Sequence, residues 1–231
     1  MIDFHNHIIP GIDDGSPDSE TSLNLIKGLQ DLGYTEFIYT PHIIADTHPN
    51  TPESIKQGFD VLNEAIIQNN LNFHQSFAAE YMMDDIFSQK LRNKEPFLKL
   101  AGDKILVEFS YIQRPDRVEK FSFDLQIQGY EPILAHPERY IYYHNNWEYN
   151  FNHLKDLGFE LQLNLLSLTP YYGKEVQKIA QKMLQAEMFD FACTDIHHYR
   201  HLQALQDSFT KDSLKELFEK YNFRNHELMK F

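Results

Sequence analysis

A single cysteine, Cys193, leaves this chain no internal disulfide framework, which suits a reducing compartment. It also has no run of about 18 apolar residues, the length a membrane-crossing helix needs. The start carries no basic stretch followed by an apolar one, because Asp3, His5 and His7 fall where an export signal would need hydrophobic residues. These absences predict a cytoplasmic protein with no membrane insertion. Basic residues are scarce, 21 against 34 acidic, and the net charge of −13 argues against a nucleic-acid partner, which needs a positive footprint. Linkers, repeats and low-complexity tracts are missing too, so residues 1–231 are expected to form one domain.

What the chain does have is histidine, and the first two that matter are at its beginning. Asp3-Phe4-His5-Asn6-His7 places two imidazoles at i and i+2 after an alternating apolar start. In a strand that spacing points both rings to one face, where two neutral imidazoles form a metal grip. For an isolated His-x-His, two surface histidines would be the commoner outcome; the rest of the chain decides against it.

Downstream, β-prone stretches alternate with amphipathic ones. Ser16-Pro17 reads as a helix start, Ser16 capping, with Leu23, Ile26, Leu29 and Leu32 as its apolar stripe and Gly33 as its stop. Residues 36–40 read as a strand with His42 just past its end, and Thr51-Pro52 as a second capped helix start. A strand over 73–80 ends at Glu80, and 104–109 is an apolar strand broken only by Glu108. Residues 132–135 run into His136, 160–163 into Asn164, and 189–194 into Asp195 and His197. From His5 the strand-exit residues His42, Glu80, Glu108, His136, Asn164 and Asp195 follow at steps of 37, 38, 28, 28, 28 and 31 residues, each one βα unit. Parallel strands with polar residues gathered at their C-terminal ends are the layout of a barrel active site. The expectation is a distorted seven-stranded (β/α) barrel.

Closing that sheet would gather His5, His7, Asp14, His42, Glu80, Glu108, His136, Asp195 and His197 round one mouth. Nitrogen and oxygen donors without a thiolate suit two or three divalent ions, Mn²⁺ first, with Zn²⁺ or Fe as alternatives. Four carboxylates and three such ions would leave the filled site at about +2, attractive to an anionic substrate. Glu108 carries the strongest signal, since an unpaired carboxylate in an apolar strand costs several kcal/mol.

Together these segments, with Asp13-Asp14-Gly15, Thr40-Pro41-His42, Ala79-Glu80, Glu108-Phe109-Ser110, Ala135-His136-Pro137-Glu138-Arg139-Tyr140 and Asp195-Ile196-His197, resemble the polymerase-and-histidinol-phosphatase (PHP) superfamily. Within it the sequence is most similar to the bacterial capsule and exopolysaccharide tyrosine-protein phosphatases, over Ile2 to about His198. The resemblance implies that His5, His7, Glu80 and Asp195 hold one metal, that Glu80 bridges to a second completed by Glu108 and His136, and that Asp14, His42 and His197 hold a third. It implies hydrolysis of phosphotyrosine by metal-activated hydroxide, the substrate being a bacterial tyrosine kinase or another polysaccharide-synthesis protein, and it leaves the oligomeric state open. Arg139, Asp195 and His42 are the expected catalytic residues; Arg139, Asn164 and Arg200 are the candidate substrate contacts. The stretch His198-Tyr199-Arg200-His201 departs from the Gly/Pro-richer loop of relatives, and the other histidines read as surface, His198 and His201 lying nearest the mouth.

Two alternatives share the metal chemistry or discard it: a phosphatase of small monoesters such as histidinol phosphate, and a metal-binding regulator without turnover, whose mark would be a missing ligand. A cysteine-nucleophile phosphatase is excluded by spacing. Its arginine would follow Cys193 by six positions, where Tyr199 stands, and Arg200 is one residue too far.

Overall fold

In the computed structural model, which describes residues 1–229, strands and helices alternate along the chain. The strands are β1 (Ile2–Asp3), β2 (Glu36–Tyr39), β3 (His42–Ile43), β4 (His74–Phe77), β5 (Glu80–Met82), β6 (Lys104–Glu108), β7 (Glu131–Ala135), β8 (Glu160–Asn164) and β9 (Phe191–Cys193). The α-helices are α1 (Ser19–Asp31), α2 (Pro52–Gln68), α3 (Asp85–Asn93), α4 (Val118–Ile127), α5 (Trp147–Asp156), α6 (Lys174–Gln185), α7 (Tyr199–Ser208) and α8 (Lys211–Tyr221). A last 3₁₀ helix covers Arg224–Met229. No helix among the described residues is long and apolar enough to cross a membrane.

The strands form two parallel sheets, ordered β1-β2-β4 and β3-β5-β6-β7-β8-β9. The α/β class and the parallel strands match expectation, but the strand expected over 73–80 is divided, and His42, expected just past a strand end, begins a short strand of its own. Thr40-Pro41 separates β2 from β3, and Ala78-Ala79 separates β4 from β5. Pro41 has no N–H to give to a ladder, which accounts for the first break. Backbone bonds carry the register across both: Ala78 N–H donates to Tyr39 O at 2.8 Å, and Glu80 N–H to Pro41 O at 3.0 Å. At the other edge Asp195 N–H donates to His5 O and His7 N–H to Ile196 O, both at 2.9 Å. The exits of β1 and β9 are thereby tied side by side.

Alternation along the strands divides the core in two. Ile105 and Val107 of β6 and Leu134 of β7 face the helices, packing with residues such as Leu25, Ile26, Ile55, Leu62, Phe151 and Met183. Their neighbours Leu106 and Ile133 point the other way, into a separate cluster with Ile2, Phe4, Ile38, Phe191 and Cys193. That inner cluster draws on strands of both sheets, so the sheets enclose it. Continuing the same faces by two residues, the apolar layer gives way to Glu108 beyond Leu106 and to Asp195 beyond Cys193. The inner core is therefore the floor under the polar residues.

Helix starts follow the expected capping chemistry with one correction. Thr51 caps α2 in a capping box with Ser54, as Thr51-Pro52 suggested. For α1 the cap is Asp18, not Ser16: its carboxylate accepts from Thr21 N–H at 2.8 Å. The Ser16 hydroxyl instead donates to Asp18 O and accepts from Ser22, fastening the loop that carries Asp13 and Asp14.

Candidate metal centre

All nine residues expected to ligate metal converge at the C-terminal ends of the strands. Glu80 sits at the centre. His5 Nε2 lies 3.3 Å and His136 Nε2 3.2 Å from its Oε1, while His42 Nδ1 lies 3.0 Å and His7 Nε2 3.4 Å from its Oε2. His42 Nδ1 is also 3.1 Å from Glu108 Oε1, and Asp195 Oδ1 is 3.3 Å from His5 Nε2 and 3.4 Å from His7 Nε2. Asp14 Oδ1, on the exposed side, is 3.6 Å from the Nε2 atoms of both His42 and His197.

The donor atoms fall into four overlapping groups able to hold a cation: His5, His7 and Glu80; His5, His136 and Asp195; His42, Glu80 and Glu108; and His7, Asp14, His42 and His197. His42 contributes to two groups through its two nitrogens, and His136 is grouped with His5 and Asp195 here.

Do these residues fit metal ions? His42 Nδ1, Glu80 Oε2, Glu108 Oε1 and Asp195 Oδ1 are buried, and none makes a well-aligned hydrogen bond among the described residues, although His42 Nδ1 closely approaches both Glu80 Oε2 and Glu108 Oε1. Buried polar atoms are ordinarily paired, and a carboxylate oxygen left alone is costly. Four such atoms aimed at one another fit a set of cations. Without cations, protons take their place. For His5 and His7, burial lowers basicity, but Glu80 and Asp195 beside His5, and Asp13, Asp195 and Glu80 beside His7, outweigh it and raise both. Burial and His7 also oppose the charge on His42, yet Glu80 and Glu108 push it up to about 10. Burial would raise Glu80 and Asp195, but the surrounding imidazoles hold both well below the ordinary carboxylate range. Burial keeps His136 and His197 low.

Around these donors is a ring of orienting contacts, much of it unforeseen from sequence. His7 Nδ1 pairs with Asp13 Oδ2 at 2.8 Å, and the same oxygen accepts from His42 N–H at 3.1 Å, so Asp13 braces two ligand arms. His5 Nδ1 pairs with Gln162 Oε1 at 2.7 Å. Both contacts leave Nε2 to face the cluster, the usual division of labour in a ligating histidine. Asn164, expected as a supporting or substrate residue, donates from Nδ2 to Asp195 Oδ2 at 2.8 Å. Its backbone N–H goes to Glu138 Oε1 at 3.0 Å, and burial pushes the Glu138 carboxyl up to about 7. His136 and Asp195 have φ of +37° and +50°, left-handed conformations uncommon outside glycine, held where the strands deliver them.

Arg139 reaches the cavity mouth from the 3₁₀ turn Pro137–Arg139. Its Nη1 donates to Asp195 Oδ2 at 2.9 Å, and its guanidinium carbon lies 4.7 Å from the ring centre of Tyr111 and 4.1 Å from that of Tyr172. Two aromatic faces and one carboxylate hold its plane. The cavity, about 220 Å³, is lined by these residues with Asp14, His42, His136, Asp195, His197, His198 and His201. Arg200 is exposed and does not line it. His201, expected on the surface, is buried; burial first and His198 second push its pKa down to about 4. Tyr111 gave no sequence signal.

A thiolate-free set of buried imidazoles and carboxylates at the ends of parallel strands defines a class: an α/β protein built round a centre of the kind metal-dependent hydrolases use. The chain belongs to the CpsB/CapC family, described as capsular polysaccharide synthesis, whose model matches residues 1–223. It is 30% identical over 201 residues to the tyrosine-protein phosphatase YwqE of Bacillus subtilis, covering 87% of this chain and 78% of that one. It is 26% identical over 205 residues to the tyrosine-protein phosphatase CpsB of Streptococcus pneumoniae, covering 86% and 83%. A solved structure from the work on YwqE and CpsB as unique metal-dependent tyrosine phosphatases superposes with a TM-score of 0.79 at 28% identity, over 96% of this chain and 93% of that one. Histidinol phosphate phosphatase from Lactococcus lactis shares the fold at a TM-score of 0.54 and 14% identity, over 96% and 94%.

Proposed function

We propose that this protein is a metal-dependent protein-tyrosine phosphatase, using two or three divalent ions, Mn²⁺ foremost and Zn²⁺ or Fe as alternatives, on phosphotyrosine of a bacterial tyrosine kinase or a polysaccharide-synthesis protein. The observation that carries the reading is the convergence of four buried donor atoms without a well-aligned hydrogen bond, on His42, Glu80, Glu108 and Asp195, beneath a mouth that holds Arg139. We read the two sheets as one closed barrel of seven staves in a single domain. In this reading β2 with β3, and β4 with β5, each make one stave, and the His5–Asp195 and His7–Ile196 backbone bonds make the closure.

His5, His7, Asp14, His42, Glu80, Glu108, His136, Asp195 and His197 hold the ions in this reading. When bound, the ions supply positive charge at the phosphoryl group and lower the pKa of water. The chain's own residues do the rest. Arg139 offers the guanidinium hydrogens not given to Asp195 to the phosphoryl oxygens, its plane set by Tyr111 and Tyr172. Asn164 and Arg139 hold Asp195 by one oxygen and leave the other to the centre. Asp13 and Gln162 keep His7 and His5 in the tautomer that presents Nε2. The tyrosine rings at the mouth give an aryl ester an apolar wall.

The test compares phosphate release from a phosphotyrosine peptide and from histidinol phosphate, before and after chelation and after Mn²⁺ or Zn²⁺ is restored, with metal content measured on the same samples. Preference for the peptide, lost on chelation and regained with metal, is the expected result. Preference for histidinol phosphate would make the protein a small-monoester phosphatase, and undiminished turnover in the chelated protein would defeat the reading.

A further inference from the structure

The start of α7 turns an unexpected side chain towards the cavity. His198 is the N-cap, and its Nδ1 accepts from the His201 N–H at 3.3 Å. With the helix begun there, Arg200 is exposed and His201, 8% exposed, turns inward. His201 Nδ1 accepts a hydrogen bond from the His197 N–H at 3.2 Å. An imidazole that accepts at Nδ1 carries its ring proton on Nε2. No hydrogen bond among the described residues uses that Nε2–H, and it is not sealed away from solvent. The edges of Tyr171 and Tyr172 set the ring plane, with centroids at 5.2 and 6.2 Å and interplanar angles of 73° and 70°. Tyr172 also faces the Arg139 guanidinium, so one ring separates two side-chain donors that line the same cavity.

We propose that His201 contacts substrate: its Nε2–H donates to a non-bridging phosphoryl oxygen of the bound ester, beside Arg139. The inference rests on the phosphatase reading and names one more residue of that site. A phosphate ester would enter with its phosphoryl group towards the buried donors and its leaving group towards the opening, and His201 lines the cavity it enters. A neutral donor there adds a hydrogen bond without adding charge, complementing the charged Arg139. With His198 it is the part of the stretch after His197 that lines the cavity, in place of Arg200.

The experiment titrates inorganic phosphate into the metal-loaded wild type and the variants His201→Ala, His201→Gln and His201→Asn by calorimetry, with metal content and kcat/KM on a phosphotyrosine peptide measured alongside. His201→Ala should bind phosphate about 10- to 100-fold more weakly, the scale of one hydrogen bond to a charged group, and lose kcat/KM by a similar factor at unchanged metal content. His201→Gln, whose amide N–H reaches near the place of Nε2, should recover most of the loss, and the shorter His201→Asn should not. Equal phosphate affinity in wild type and His201→Ala would overturn the proposal. Loss of metal from His201→Ala would overturn it too, making His201 a support for His197. Wild type that binds phosphate but leaves the peptide intact would defeat the phosphatase reading, while the phosphate comparison would still judge His201.

Discussion

In the proposed centre metal uptake would have to displace protons, and the raised imidazoles are where those protons sit. In the ion-free protein Glu80 and Glu108 outweigh burial to hold His42 up to about 10, and His5 and His7 are raised as well. A nitrogen cannot bind a proton and a cation with the same lone pair. At pH 7 His42 lies about three pH units below its pKa, so freeing it costs about 4 kcal/mol, or about 1,000-fold in apparent affinity. Each proton displaced makes apparent affinity tighten about 10-fold per pH unit. Titrating chelated protein with Mn²⁺ in two buffers of contrasting ionisation enthalpy should show release of about one to three protons at pH 7, and about one fewer for His42→Gln. Stability of the ion-free fold has a matching sign. The raised imidazoles stabilise it fully below about pH 6.5, and His42's share is lost as pH rises through about 10. The depressed carboxylates of Glu80 and Asp195 stabilise it above their ordinary range, a share lost as pH falls below it. Metal-loaded protein should therefore gain most over ion-free protein on the alkaline side. Affinity that stays flat from pH 6 to 8, with no proton released, would refute the reasoning.

Other substitutions probe separate contacts. Arg139→Ala should cut kcat/KM about 100-fold at unchanged metal content, since the guanidinium meets substrate in the proposed site; parallel metal loss would make its work the holding of Asp195. Gly15→Ala would place a Cβ 2.1 Å from His7 O and 2.5 Å from His7 Cβ, so the loop bearing Asp13 and Asp14 has to shift. Thermal melting should register a loss of about 2 kcal/mol or more together with weaker metal binding, and an unchanged melt would show that the backbone yields. Cys193 is buried in the inner core, where burial and then Asp3 push its thiol up, out of nucleophilic range. Cys193→Ser should keep most activity at a cost of about 1–3 kcal/mol in stability, and Asp195→Ala should abolish turnover; a dead Cys193→Ser enzyme with full metal content would sink the metal mechanism.

The strand exits were legible because each βα unit ends a hydrophobic run with one polar residue, and register alone carries His42, Glu80, Glu108, His136 and Asp195 to a common rim. Asp13 and Gln162 were not, because their partners His7 and His5 become neighbours only when the sheets fold: Gln162 lies 157 positions from His5. Periodicity placed the helix at α1 but put its cap two residues early, since Ser16 and Asp18 are both good caps and Ser16 is instead held by Ser22 of the helix. His201 read as surface for a similar reason. Its inward turn depends on where α7 begins, and His198 is an uncommon cap that pattern does not flag.

Asp195 has two oxygens, and the fold has already committed one. Oδ2 receives Asn164 at 2.8 Å and Arg139 at 2.9 Å, which leaves Oδ1 as a single point of attachment. In the proposed centre this carboxylate is confined to one-toothed ligation, and its neighbours are mostly imidazoles. Calcium favours six to eight oxygens, often from carboxylates gripping with both, and prefers neither condition. In that reading Asn164 and Arg139 would act as a selectivity filter without touching an ion: by occupying one oxygen they would tilt the centre towards compact transition-metal cations and away from the larger alkaline-earth ion.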